Sequence, residues 1–215
     1  MILLLGGEKG GSGKSCLAQN LAVWIQARGG DVLLLDADPQ GTTADWAAER
    51  AEGNLPAIPV VQAHGNIRQT LLDLRNRYRQ IVVDAGGADS EALRSAMTVA
   101  THMLIPFRPK RRDLKTLPNV ENLARLALAV NPELTIRAVI TQCPALPSQV
   151  QRILDAKDAC KSFGIEALNA ITTARNVYDD ADENGCSVLE SGADPRAIEE
   201  IEALATELWR DFRWA

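Results

Sequence analysis

The stretch that most constrains this chain is Gly6-Gly7-Glu8-Lys9-Gly10-Gly11-Ser12-Gly13-Lys14-Ser15, which follows the apolar run Ile2-Leu3-Leu4-Leu5 and opens an apolar-periodic segment from Ser15 to Arg28. The pattern reads as strand, loop and helix. Successive backbone N–H groups at a helix N-terminus form a nest for phosphate oxygens, and only small residues let the backbone close around an anion. Lys14 then brings a point charge to the phosphates, and the Ser15 hydroxyl brings a ligand for Mg²⁺. The common spacing places a glycine six residues before the lysine, and here that position holds Glu8. A second lysine, Lys9, opens the loop instead.

The 215 residues are 46% hydrophobic and 24% charged, enough for one sizeable core with no compositional sign of disorder, so one α/β domain over residues 1–215 is expected. Cys16, Cys143, Cys160 and Cys186 show neither C-x-x-C pairing nor a histidine at metal-ligand spacing, and read as free thiols of a reducing cytoplasm. Met1 to Leu5 has no basic flank and is too short for the apolar core of a signal peptide, and no later run approaches a membrane span. A cytoplasmic protein is expected. The formal charge of −5 argues against a broadly basic nucleic-acid binder but leaves room for a local basic patch.

Apolar runs of strand length alternate with segments of helical period. Strands are expected at Ile2–Leu5, Val32–Leu35, Ile58–Val61 (short and edge-like), Ile81–Val83, Met103–Ile105 and Ala138–Ile140, and helices at Thr43–Ala51, Asn66–Arg77, Glu91–Ala100, Leu114–Val130, Gln149–Phe163 and Pro195–Phe212. This alternation predicts a three-layer, doubly wound, mostly parallel sheet with helices on both faces. In such a sheet the strand-to-helix loops gather at one edge.

Two further stretches point to that edge. Asp36-Ala37-Asp38-Pro39-Gln40-Gly41 follows the Leu33-Leu34-Leu35 strand directly, so Asp36 and Asp38 can approach a Mg²⁺ ion and an attacking water. Gln80-Ile81-Val82-Val83-Asp84 has the form of a Walker B strand, with Asp84 placed to hold Mg²⁺ directly or through water.

The two-lysine loop, Asp-x-Asp-Pro-Gln and the Walker B strand, in this order, resemble the deviant Walker A ATPases of the ParA/MinD family. Ile105-Pro106-Phe107-Arg108-Pro109 and Ser187-Val188-Leu189-Glu190 resemble its short members, such as the ParF plasmid partition proteins, which lack an N-terminal DNA-binding domain. The family commonly follows the Walker B Asp with Thr/Cys-Pro-Pro, and this chain has Ala85-Gly86-Gly87-Ala88-Asp89. The resemblance implies that ATP is held by Lys9, Gly10, Gly11, Ser12, Gly13, Lys14, Ser15 and Cys16, with Gln142 touching the base, and Mg²⁺ by Ser15, Asp36 and Asp84. It implies catalytic roles for Lys9, Lys14 and Asp38, with Asp38 orienting or deprotonating the hydrolytic water and Lys9 crossing a two-fold interface to the partner's phosphates. It further implies an ATP-dependent homodimer that binds nucleoid DNA non-specifically, positions or partitions DNA or other cargo, and is stimulated by an adaptor of ParB type.

Two other readings stay open on the same scaffold. A membrane-cycling MinD-like ATPase would need a basic amphipathic tail, whereas the last helix sets Ile198, Ile201, Leu204 and Leu208 against Glu199, Glu200, Glu202 and Glu207, with Trp209, Arg210, Phe212, Arg213 and Trp214 beyond, so no stable membrane association is expected. A metabolic ATP-dependent ligase or iron–sulfur reductase is the other, and Cys143 and Cys160 do not offer a cluster pattern. His64 and His102 lie far from the three motifs. Arg108, Lys110, Arg111, Arg112 and Lys115 face one acid, Asp113, and together with Lys157, Lys161 and Arg175 form a candidate phosphate-contacting stripe.

Overall fold

A computed structural model describes residues 1–87 and 90–210. Among the described residues seven strands, β1 (Ile2–Leu5), β2 (Val32–Asp36), β3 (Val60–Gln62), β4 (Gln80–Asp84), β5 (His102–Phe107), β6 (Thr135–Cys143) and β7 (Ala167–Thr173), form one sheet in the order β3-β2-β4-β1-β5-β6-β7. Every pairing is parallel. The helices are α1 (Lys14–Ala27), α2 (Thr42–Glu52), α3 (Arg68–Leu74), α4 (Glu91–Met97), α5 (Arg111–Leu114), α6 (Leu117–Val130), α7 (Val150–Ser162), α8 (Val177–Asp182), α9 (Val188–Ser191) and α10 (Pro195–Leu208).

The central strands are apolar on both faces because both are covered. Leu4, Leu33, Leu35, Val83 and Ile105 join one core with Leu71, Leu93, Val120 and Ile153, while Leu3, Leu5, Leu34, Val82 and Val139 join the other with Leu21, Trp24, Ile201 and Leu204. The alternation of one strand thus feeds two cores, as a period of two requires. In register, Asp36 at the end of β2 lies beside Asp84 at the end of β4, and Leu5 of β1 beside Asp84 on the other side. The order of these three strands brings the glycine-rich loop and both acidic stretches to one edge.

The structure departs from the sequence reading in three places. The single helix expected over Leu114–Val130 is two, because Lys115 and Thr116 separate α5 from α6, which begins Leu117-Pro118 where proline is tolerated. Strand β7 was not anticipated: its sequence Ala-Leu-Asn-Ala-Ile-Thr-Thr is too polar to read as a buried run, and it pairs on one side with β6. The short helices α8 and α9 also escaped, being below the length at which periodicity is legible. The expected doubly wound, mostly parallel sheet with helices on both faces is found, and among the described residues every pairing is parallel. The end of the helix expected to reach Phe212, together with Arg213 and Trp214, lies outside the described residues, as do Ala88 and Asp89.

Candidate functional site

The loop between β1 and α1 rises from a fully buried strand, and Gly11 and Gly13 take φ of 67° and 94°, a region that admits glycine without strain. Lys14, 6% exposed, opens α1 and donates from Nζ to the Lys9 carbonyl at 3.1 Å. Burial pulls its pKa below the usual lysine range, and Asp84 and Asp38 act in the opposite direction. Lys9 is half-buried and Gly10 and Gly11 are exposed, so the lysine that opens the loop stands at its rim.

The two acidic stretches do different work. Both oxygens of the buried Asp36 are engaged by backbone: Oδ1 accepts from Asp38 N at 3.0 Å and Oδ2 from Ala44 N at 2.8 Å. Asp36 therefore ties the loop that carries Asp38 to the first turn of α2. Burial raises its pKa, against the lowering effect of those N–H groups. Asp38 is half-exposed, accepts from Gln40 N at 3.0 Å, and leans over Gly86, where a Cβ would lie 3.4 Å from its carboxylate atoms.

Asp84 is fully buried. Its Oδ2 accepts from the Thr43 hydroxyl at 2.7 Å, while Oδ1 is buried with no hydrogen-bond partner. Burial pushes its pKa up to about 6, although the Thr43 and Ser15 hydroxyls and Lys14 favour the charged form. A buried, unpartnered carboxylate oxygen is costly unless a cation meets it. Asp84 with the Ser15 hydroxyl therefore fits a hard, oxygen-seeking ion such as Mg²⁺, which demands few protein ligands. Asp36 stands beside them with its oxygens already committed to backbone.

A cavity of about 490 Å³ brings together Lys14, Ser15 and Asp38, while Lys9, Ser12 and the buried Asp36 and Asp84 are not part of its lining. It is lined by Gly10, Gly11, Gly13, Lys14, Ser15 and Cys16 of the loop and α1, by Asp38, Gln40, Thr42 and Gly87 of the two acidic stretches, and by Gln19, Tyr178, Asp179 and Asp182. Gly87 closes on the loop so tightly that a Cβ there would lie 3.1 Å from Gly10 N. The stretch Ala85-Gly86-Gly87 thus lets the segment after Asp84 touch the glycine-rich loop.

Residues 3–184 match the CobQ/CobB/MinD/ParA nucleotide binding domain family. This chain belongs to that family. The maintenance of carboxysome distribution protein A of Gloeobacter kilaueensis is 33% identical over 209 residues, which cover 95% of this chain and 92% of that protein. Protein ParA of Rhizobium radiobacter is 26% identical over 216 residues, covering 97% and 96%. Among solved structures, an ATP complex of a Cyanothece McdA variant superposes with a TM-score of 0.79 at 14% identity over 100% of this chain and 98% of that one, which shows the shared fold.

Other residues of this ParA/MinD-family chain bear on the same loop or lie away from it. Gln142 donates from Nε2 to the Gly11 carbonyl at 2.9 Å, and the buried Thr141 hydroxyl donates to the Ser12 carbonyl at 2.8 Å. Thr43 carries no motif signal, and Thr141 stands in the stretch Val139-Ile140-Thr141-Gln142, of which only Gln142 reads as a contact. The Cys16 thiol is pushed up to about 12 by burial and stays protonated at neutral pH. His102 lies at the start of β5, the sheet edge opposite the loop, and His64 is exposed on the chain after β3.

The expected basic stripe is narrower than its sequence. Asp113, 1% exposed, turns inward and takes Arg108 through Nε at 2.6 Å and Nη2 at 3.1 Å. Arg175 is held by Asp194 and Glu200, and Lys157 donates to the Asn169 carbonyl, so Arg175 does not belong to a free phosphate-contacting surface. Lys110, Arg111, Arg112 and Lys115 remain exposed, and Lys110, Arg111 and Lys115 line one depression with Arg152 and Asp155 of α7.

The acidic face of α10 is used within the fold. Glu200 accepts from Thr173 N and the Tyr178 hydroxyl, Glu207 from Asn169 N and Ala170 N, and Glu202 pairs with Arg28 and Trp24. Among the described residues no helix is long and apolar enough to cross a membrane.

Proposed function

We propose that this chain is an ATPase of the ParA/MinD type that positions or partitions a cargo through ATP-dependent dimerisation and hydrolysis. The observation that carries the reading is the meeting of Lys14, Ser15 and Asp38 on one cavity lined by the glycine-rich loop, with Asp84, one of whose buried carboxylate oxygens has no partner, close enough to Lys14 and Ser15 to feel both. In this reading the loop N–H groups and Lys14 bind the β- and γ-phosphates. Asp38 orients or deprotonates the attacking water, a task needed in the transition state more than in the ground state. Lys9, at the rim, reaches the phosphates of a second copy and neutralises charge in trans. Mg²⁺, when bound through Ser15 and Asp84, supplies charge neutralisation at the phosphates. Asp36 acts chiefly through Asp38, by fixing its backbone.

Relatives named for carboxysome distribution and for chromosome partitioning support this reading of the cargo. The dimer binds DNA without sequence preference through Lys110, Arg111, Arg112, Lys115 and Arg152, and an adaptor protein stimulates turnover. Phosphate contacts of this kind position a protein on DNA without specifying sequence.

The test is sedimentation of the purified chain with Mg²⁺ and ATP, ADP or no nucleotide, alongside phosphate release. A dimer seen with ATP alone and slow phosphate release are expected. A chain that stays monomeric with ATP and turns nothing over would sink the reading.

A further inference from the structure

A loop that offers its N–H groups to an anion leaves carbonyls that need donors of their own. In this loop those donors are in place. The Lys9 carbonyl receives Ser12 Oγ and Lys14 Nζ, the Gly13 carbonyl receives Leu17 N within α1, and the carbonyls at the crown, Gly11 and Ser12, are taken by Gln142 and Thr141. The last two donors come from β6, which is not a neighbour of β1, since β5 lies between them.

The end of β6 is shaped for this reach. Its pairing with β7 shifts register between Ile140 and Cys143, a bulge that re-aims the side chains within it. Gln142 itself has φ of 48°, a left-handed conformation that costs a residue with a side chain and persists only where its surroundings hold it. Thr141 is 1% exposed, so the hydroxyl it gives to Ser12 has no water to compete for it. A bulged strand end, a strained glutamine and a buried hydroxyl all converge on two adjacent carbonyls.

We propose that Thr141 and Gln142 are positioning residues that hold the crown of the phosphate loop in its anion-binding shape before nucleotide arrives. The inference rests on the reading that this loop binds the phosphates of ATP. Under it, phosphate affinity is set partly by β6, and the Gln142 amide serves the triphosphate through the loop rather than the base. Removing either donor leaves the loop free to sample shapes in which its N–H groups no longer converge, and affinity falls by the fraction of time spent there.

Competition against a fluorescent ATP analogue, with Mg²⁺, would compare ATP with inorganic tripolyphosphate on wild type, Gln142→Gly, Thr141→Val and Thr141→Ser. The expected result is a loss of about five- to tenfold for Gln142→Gly and for Thr141→Val, equal for the two ligands, as one hydrogen bond would give. Thr141→Ser, which keeps the hydroxyl, should stay within about twofold of wild type. Glycine relieves the left-handed strain, so the melting temperature of Gln142→Gly should equal or exceed that of wild type while its affinity falls, a divergence that a merely structural residue would not produce. A loss confined to ATP would overturn the proposal in favour of base contact, and unchanged affinity for both ligands would overturn it outright. Wild type that bound neither ligand would bring down the nucleotide reading itself, and this inference with it.

Discussion

The Thr43 hydroxyl donates to the buried Asp84 carboxylate at 2.7 Å, joining the start of α2 to the end of β4. Because Asp36 also bonds Ala44 N, the first turn of α2 is tied to both acidic strand ends. The loop carrying Asp38 is therefore stretched between fixed points, and a change at either carboxylate reaches Asp38 through backbone.

Lys14→Ala should weaken ATP binding by about 100-fold, since a charge-assisted bond to phosphate is lost from a site shielded from water. Lys9→Ala should keep ATP affinity within a few-fold and lose ATP-dependent dimerisation. Calorimetric titration and sedimentation of both variants check this, and equal loss of affinity in the two would remove the trans role from Lys9.

Asp38→Ala should bind ATP and dimerise while its turnover drops by about 100-fold, the range expected for removing a general base. Asp38 sits on the cavity wall and makes one bond to its own loop, so the fold should tolerate the change. Turnover within twofold of wild type would reject the assignment.

Gly87→Ala should lower ATP affinity by about tenfold, because the new methyl would stand 3.1 Å from Gly10 N and overpack the loop. A melting curve close to wild type, with the affinity loss, would locate the effect at the loop. Unchanged affinity would show that the loop yields freely.

Arg50 of α2, 1% exposed at its side chain, pairs bidentately with Glu190 of α9 at 2.6 and 2.8 Å, and Glu190 is 23% exposed. Glu190→Gln should cost about 2 kcal/mol in chemical denaturation, less than for a wholly buried pair because water still reaches the glutamate. Burial raises the Glu190 pKa, but the Arg50 bonds outweigh it and carry the pKa below the ordinary 4.5. A depressed carboxylate adds stability above its unfolded value that is lost as pH falls through the folded one. The stability gap between wild type and Glu190→Gln should therefore close below about pH 4.5.

Arg111→Glu with Arg112→Glu, in an ATP-bound Asp38→Ala background, should weaken duplex DNA binding. It should also flatten a salt slope that would be near −5 if the dimer neutralises about six phosphates. The same changes at Arg175 would report on folding, since that residue is bound to Asp194 and Glu200. Unchanged affinity and slope in the double variant would place any DNA contact elsewhere.

The sequence alone determined the parts of this protein that depend on local chemistry. A four-residue apolar run before Gly6, a glycine-rich loop and a helical period after Ser15 admit one local structure. The acids placed directly after the runs at Leu33–Leu35 and Ile81–Val83 had to emerge at the same sheet edge, because parallel strands share their C-terminal direction. What depends on contacts between distant segments was settled only by the tertiary structure. Asp113 reads as one acid among cations, yet its burial against Arg108 takes both out of the exposed basic surface, and Arg175 is withdrawn in the same way by α10. Gln142 shows no strain in sequence, because its left-handed backbone arises from a bulge against β7, a strand too polar to recognise by pattern. Asp84 looks like any strand-ending acid, and only the packing around it leaves one buried oxygen without a partner. Periodicity reports which face a residue occupies, whereas pairing, desolvation and strain belong to what lies across from it.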